Sequence, residues 1–351
     1  MKKITFQLTN MGIAGGVERV VSIWANYFSQ NHDIEIVTEN QQTSFYNLEK
    51  NIKMGKLNYF SNIKFLPIIR LIIIYKFLKS REDGETIIFN KYIPTTSIYI
   101  LRKLGLFKNL NLIYFAHSGT SQFINFYKFY QTKQIFNAYD KVICLYEDLN
   151  KESKLIKREK IVIICNPTAI KVSEEYKADS KNFLTVGRLS YPKGYDMLID
   201  SWNIVSKELK DWKLLIVGSG ELEYELKEKC RELSLENSIE FIPATKNISQ
   251  YYMDASIFLS SSRYEGLPMV VLEALEAGLP IVSYDIDANK KLVTDNGILV
   301  ESYNIEKFAE AMIKLAKDKS IRQEMSVNSK RYSKEYDIEN IVTSWNEILE
   351  V

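Results

Sequence analysis

Short runs of β-branched and aromatic residues alternate with longer amphipathic stretches along this 351-residue chain, which is the hydropathy pattern of parallel α/β sheets. In the first half the strand-like runs are ITFQLT (4–9), IEIVT (34–38), TIIFN (86–90), NLIYFA (111–116), KVICL (141–145) and IVIIC (161–165). In the second they are FLTVG (183–187), KLLIVG (213–218), IEFIP (239–243), SIFLS (256–260), PIVSY (280–284) and GILV (297–300). Equal sets in the two halves predict two similar open sheets, and the length suits two domains, each with its own core. The polar stretch NPTAIKVSEEYKADSKN (166–182) has little apolar periodicity and predicts the connection between a first domain over 1–170 and a second over 171–334. Beyond Ile305 the period becomes helical, through Phe308, Met312, Leu315 and Ala316, then through Ile338, Ile341, Trp345 and Ile348.

Composition changes this picture little, but charge changes it more. Apolar residues make up 46% and charged residues 26%, as in an ordinary globular protein. The formal net charge of +2 conceals a division. Residues 1–170 carry 23 Lys/Arg against 13 Asp/Glu, a net +10, whereas residues 171–351 carry 23 against 31, a net −8. From Lys50 to Arg81 the cations Lys50, Lys53, Lys56, Lys64, Arg70, Lys76, Lys79 and Arg81 stand with no acidic residue among them. Tyr59, Phe60, Phe65, Tyr75, Phe77 and the run PIIRLIIIYKFL (67–78) interleave with them. That run is too short to span a bilayer. It fits either the interface of an anionic membrane or a core helix with a basic solvated edge.

No helix-turn-helix, zinc-finger or RNP-type pattern accompanies the basic segment, so nucleic acid is not an expected partner. Cys144, Cys165 and Cys230 are odd in number, and with no CxxC and two histidines they predict neither a disulfide framework nor a zinc site. The N-terminal MKKITFQLTNMG lacks a sustained apolar h-region and reads as a first strand. The expectation is a cytoplasmic protein, peripheral on the inner face of the membrane where its basic segment meets lipid.

Glu265 and Glu273 stand in YEGLPMVVLEALEAGLPIVSYD (264–285). With most of the intervening segment helical, a rise of about 1.5 Å per residue separates them by roughly 12 Å along nearly one face. Pro268 suits a first helical turn and Gly266 permits close backbone approach. The N–H groups of Leu267, Met269 and Val270 would then form an anion site between two hydroxyl acceptors, the outline of a nucleotide sugar. The alternative is an amphipathic helix with two solvated glutamates.

Arg188 and Lys193, in VGRLSYPKGYDMLI (186–199), can pair with a diphosphate as fork and point charge, or be surface charge. Gly15 and Gly16, in MGIAGGVERVV, follow the first strand and serve either close approach to a ligand or a tight turn, while Glu18 complements a helix N-terminus. His117 ends the run IYFAH (113–117), as a structural or a ligand-facing residue. Gly218 and Gly220, in LLIVGSGELEYEL (214–226), look like a phosphate loop but complete neither nucleotide fingerprint. The absence of GxGxxG argues against a nicotinamide oxidoreductase.

Segment 264–285 resembles the C-terminal signature of retaining glycosyltransferases of the large GT4 family, whose GT-B fold has two facing Rossmann-like domains with parallel sheets and a cleft between them. Carried over by position, the resemblance implies that Glu265 holds the transferred sugar and Glu273 the nucleotide ribose. It implies that Arg188 and Lys193, with Gly187, are the GRL…KG phosphate-binding set that stabilises the departing diphosphate. Gly15 and Gly16 match a GG(V/A)E-like loop facing the donor phosphates and acceptor, and His117 matches a histidine near the donor sugar. Gly218 would line the nucleotide side.

Asp285 and Asp287 form a D-x-D, but this family commonly has a structural aspartate there, so no metal and no cofactor are expected. The loop DIDANKKLVTDNG (285–297) departs from the family's longer, glycine-containing one. The resemblance also places the last helix, about 335–351, back on the N-terminal domain. The implied activity is retaining transfer of a hexose-type sugar from a nucleotide-diphosphate sugar, UDP favoured, to a glycan or lipid-linked acceptor in bacterial surface polysaccharide synthesis. The rival reading is a noncatalytic GT-B subunit that stabilises a partner transferase.

Overall fold

The β-branched runs become strands because a parallel sheet covered on both faces buries nearly every residue of each strand. A computed structural model describes residues 1–39, 43–57, 67–90, 95–117, 136–147, 156–172 and 174–349. The chain divides into two compact units, Met1–Asn166 with Ile341–Val351, and Pro167–Asn340. The division thus falls at Asn166/Pro167, just ahead of the expected boundary.

The first unit contains β1 (Lys3–Leu8), α1 (Gly16–Phe28), β2 (Asp33–Thr38), β3 (Lys53–Lys56), α2 (Pro67–Lys79), β4 (Thr86–Phe89), α3 (Thr95–Lys103), β5 (Asn111–Ala116), β6 (Lys141–Cys144) and β7 (Ile161–Ile163). Its parallel sheet runs β3-β2-β1-β4-β5-β6-β7. The edge strand β3, KMGK, was not predicted from hydropathy: it is short and polar, and it pairs with β2 from Glu35↔Lys53 to Thr38↔Lys56. Gly55 suits this place because a Cβ there would stand 2.6 Å from Glu35 Oε1.

Spatial neighbours also alter the basic segment. Lys53 pairs with Asp33 (2.9 Å) and Arg81 with Glu35 (2.6 Å), both acids lying on β2. These two cations are therefore neutralised by a strand that the linear charge run does not contain. Lys64, with Tyr59, Phe60 and Phe65, lies outside the described residues.

The second unit contains β8 (Asn182–Val186), α4 (Tyr195–Glu208), β9 (Lys213–Val217), α5 (Glu223–Glu232), β10 (Ile239–Ile242), α6 (Ile248–Asp254), β11 (Ile257–Ser260), α7 (Met269–Glu276), β12 (Ile281–Tyr284), β13 (Gly297–Val300), α8 (Ile305–Lys317) and α9 (Lys319–Ser333). Its parallel sheet runs β10-β9-β8-β11-β12-β13, the same order as the first without the extra edge. The core gathers Phe183, Trp202, Leu214, Ile257, Phe308 and Met312 around that sheet. Asn304 and Asp318 cap α8 and α9 by accepting from Lys307 N and Ile321 N, both at 3.0 Å.

The last helix, α10 (Ile338–Leu349), presents the predicted stripe Ile341, Trp345 and Ile348 to the first unit. Trp345 is fully buried, its ring 5.2 Å from Trp24, 5.4 Å from Phe28 and 6.0 Å from Phe115 between centroids.

Candidate active site

In an open parallel sheet a ligand crevice forms beyond the carboxyl ends of neighbouring strands whose connections leave in opposite directions. In the second unit that point is β8/β11, since β8 leads to β9 on one side and β11 to β12 on the other. Arg188 and Lys193 follow β8, and Glu265 follows β11. The fold therefore gathers at one place residues more than 70 positions apart.

Lys193 ends a single 3-10 turn, Tyr191–Lys193, which Gly194 closes in the left-handed region at φ 66°. A side chain at Gly194 would also strike Ser261 O at 2.1 Å, so both conformation and space demand glycine. From this turn the Lys193 ammonium makes an ion pair with Glu265 Oε1. The same oxygen accepts from Ser262 Oγ at 2.8 Å, and Ser261 Oγ donates to Lys193 O at 2.9 Å. Arg188 is exposed at the start of the same loop. Ser261 and Ser262 were not singled out from sequence; their place between a strand end and Glu265 was the available signal.

The Glu265–Glu273 segment differs from its expected geometry. Pro268 is extended at φ −73° and ψ 110°, so it caps α7 rather than occupying the first turn, and the helix begins at Met269. Only the latter half of the interval is helical, and the one-face estimate of roughly 12 Å does not apply. Val271 N and Leu272 N donate to Pro268 O at 3.0 and 3.3 Å, so the helical ladder starts there. The N–H groups of Met269 and Val270 precede it and carry the positive end of the helix dipole. The side chains of Leu267, Pro268 and Met269 are buried, so any polar contact these residues make with a ligand falls to their backbone. Glu273 is 0% exposed, not a solvated face residue.

Gly187 and Gly218 end adjacent strands, each N–H continuing the ladder to Val217 O (3.0 Å) and Ile242 O (2.8 Å). A Cβ on Gly218 would stand 1.8 Å from Gly187 O, and one on Gly220 2.2 Å from Leu189 O. Close packing of two strand-to-helix turns thus accounts for both. Asp285 lies 3.4 Å from Lys290 Nζ. Among the described residues no cluster of three His, Cys, Asp or Glu is arranged to hold a metal ion.

The first unit has its own switch point at β1/β4. Gly15 is the N-cap of α1 and Gly16 its first residue. The Glu18 carboxylate folds back over the turn, within 2.0 Å of where a Cβ on Gly15 would stand, as a helix-terminus charge partner does.

His117 follows β5, and its Nε2 lies 2.7 Å from Asn90 Oδ1, a residue just past β4. The Asn90 amide nitrogen donates to Gln7 O (3.3 Å) and Ile88 O (3.2 Å), which fixes Oδ1 toward the imidazole. Nε2 therefore carries the ring proton and Nδ1 is the acceptor. Burial pushes His117 down to about 3, so the ring is neutral at physiological pH.

The chain is similar to known proteins along nearly its whole length. Residues 14–171 match the model of Glycosyltransferase Family 4, and residues 168–332 that of Glycosyl transferases group 1. An uncharacterized glycosyltransferase of Haemophilus influenzae is 32% identical over 99% of this chain and 100% of its own length. The amylovoran biosynthesis glycosyltransferase AmsD of Erwinia amylovora is 26% identical over 99% and 100%. A crystal structure of an S. aureus TarM mutant with Fondaparinux, α-GlcNAc-glycerol and UDP superposes with a TM-score of 0.81 at 15% identity, covering all of both chains. Two Rossmann-like units with parallel sheets, the charged switch point and relatedness along nearly the whole length converge: this chain is a glycosyltransferase of GT-B fold and belongs to the group 1, family 4 glycosyltransferases.

Proposed function

We propose that this glycosyltransferase is retaining and metal-independent, moving a hexose-type sugar from a UDP-sugar to a glycan or lipid-linked acceptor in bacterial surface polysaccharide synthesis. The observation that carries the reading is the Lys193–Glu265 ion pair at β8/β11, beside exposed Arg188 and the N-terminus of α7. Lys193, Arg188 and the leading α7 amides hold the diphosphate, and Glu265 accepts from hydroxyls of the transferred sugar. The bond from the anomeric carbon to phosphate breaks while the acceptor oxygen bonds on the same face. The acceptor proton passes to a phosphate oxygen, so no carboxylate nucleophile is needed. Glu273 is assigned to the ribose, and its burial requires the covering side chains to shift on binding. UDP is favoured by the TarM complex, and the polysaccharide role by AmsD.

Release of nucleotide from UDP-, GDP- and ADP-sugars, with and without EDTA, tests this. Glu265→Ala or Lys193→Ala lowers turnover by about 100–1000-fold, the usual scale for one transition-state contact. Turnover abolished by EDTA overturns metal independence. No turnover with any donor and lipid or sugar acceptors favours the noncatalytic subunit.

The anionic membrane surface is a second part of the proposal, and the exposed stripe of α2 is what supports it. Ile74, Phe77 and Leu78 are buried, whereas Ile68 and Ile72 are 72% and 47% exposed and Lys76 and Lys79 continue the exposed side. Apolar residues at one end of a stripe and lysines at the other suit an anionic lipid interface. Among the described residues no helix is long and apolar enough to cross a membrane. Sedimentation with anionic liposomes weakens with salt and with Lys76→Gln/Lys79→Gln; equal binding to neutral lipid sinks the electrostatic part.

A further inference from the structure

We propose that Arg263 is a positioning residue for glycosyl transfer, setting Lys193 against Glu265 by fastening the Tyr191–Gly194 turn to the segment after β11. This inference rests on the donor-site reading above. The backbone N–H of Arg263 donates to Pro192 O at 2.7 Å, and its Nη1 donates to Tyr191 O at 2.7 Å. With the Ser261–Lys193 O bond, three successive carbonyls of the lysine turn, at 191, 192 and 193, are held by residues 261 and 263. Gly194 closes the seam by its approach to Ser261 O.

The guanidinium meanwhile forks onto Asp196, in the first turn of α4, with Nη1–Oδ1 at 2.9 Å and Nη2–Oδ2 at 2.6 Å. It also lies over the Tyr191 ring, 4.1 Å from the centroid. One side chain thus ties the start of the turn to the helix that follows it. Although burial opposes ionisation of Asp196, the Arg263 hydrogen bonds and charge hold its carboxyl below the usual range.

The consequence is selective because a lysine ammonium on a flexible four-carbon stem is only as well placed as the backbone beneath it. Arg263 itself is occupied by Asp196 and Tyr191, so it acts through Lys193 rather than on the donor. A planar fork that also stacks is not reproduced by lysine.

The test is steady-state kinetics with whichever donor the nucleotide-release screen identifies, on wild type, Arg263→Ala, Arg263→Lys, Asp196→Asn and the Lys193→Ala/Arg263→Ala pair. Arg263→Ala lowers kcat/KM for the donor by about 10–100-fold, the scale of a misplaced catalytic contact, with the acceptor KM unchanged. Arg263→Lys recovers only part of the loss, and Asp196→Asn falls between the two. In the Lys193→Ala background the further loss is less than about twofold, because the group being positioned is already absent. Undiminished activity of Arg263→Ala, or losses that multiply independently of Lys193, overturn the inference. Should Arg263→Ala fail to fold, Arg263→Lys in the same two backgrounds decides by the same criterion. A wild type inert with every donor removes the donor-site reading itself, an outcome distinct from active wild type with an equally active variant.

Discussion

The two sheets share one strand order but not one chemistry at their switch points. At β1/β4 the chain places a glycine turn, a helix N-terminus answered by its own Glu18, and a neutral His117 held by Asn90. At β8/β11 it places Arg188, Lys193 and Glu265, with the amides of α7 beside them. Net charge points the other way: among the described residues, the half carrying +10 brings Glu18 and a neutral His117 to its crevice, and the half carrying −8 brings Arg188 and Lys193. An anion site is a matter of which few charges the loops deliver, whereas net charge describes the remaining surface.

The comparison breaks most sharply at the cores. Trp345→Ala costs the first unit about 3–5 kcal/mol, and Trp202→Ala costs the second a similar amount. Two-transition calorimetry should show each variant lowering a different transition; Trp345→Ala shifting only the second unit would be incompatible with the ring contacts of α10.

A smaller effect sharpens the contrast between the crevices. His117 falls from an ordinary 6.5 to about 3 in the folded state, so the unfolded chain takes up the proton first. Its contribution is fully present above about pH 6.5 and is lost as pH falls toward 3, at no more than about 1.4 kcal/mol per pH unit. His117→Gln flattens the acid limb of first-unit stability measured by denaturant titration, whereas His32, also lowered by burial, remains in both proteins. An unchanged slope in His117→Gln means the imidazole is not enclosed.

The sheets were legible because burial on both faces leaves a β-branched run for each central strand. β3 was not, since an edge strand of lysines around a glycine has no such run. The positions of Arg188, Lys193, Glu265 and Glu273 were readable as motifs, but their geometry was not. Pro268 starts the helix late, and only packing shows that Glu273 is enclosed. The Arg263–Asp196 fork joins residues 67 positions apart and exists only once two loops meet. Likewise the basic run from Lys50 to Arg81 loses Lys53 and Arg81 to acids of β2, a neighbour that a linear reading does not supply.

Helix α10 sets an order in time. Trp24, Phe28 and Phe115 belong to the earliest part of the chain to be synthesised, but the ring that completes their cluster arrives with Trp345. Residues 167–340 must be made in between, which takes on the order of 10–35 s at about 5–20 residues per second. During that interval the first unit waits with an uncovered aromatic surface. The first unit is thus completed only after the whole of the second has been made.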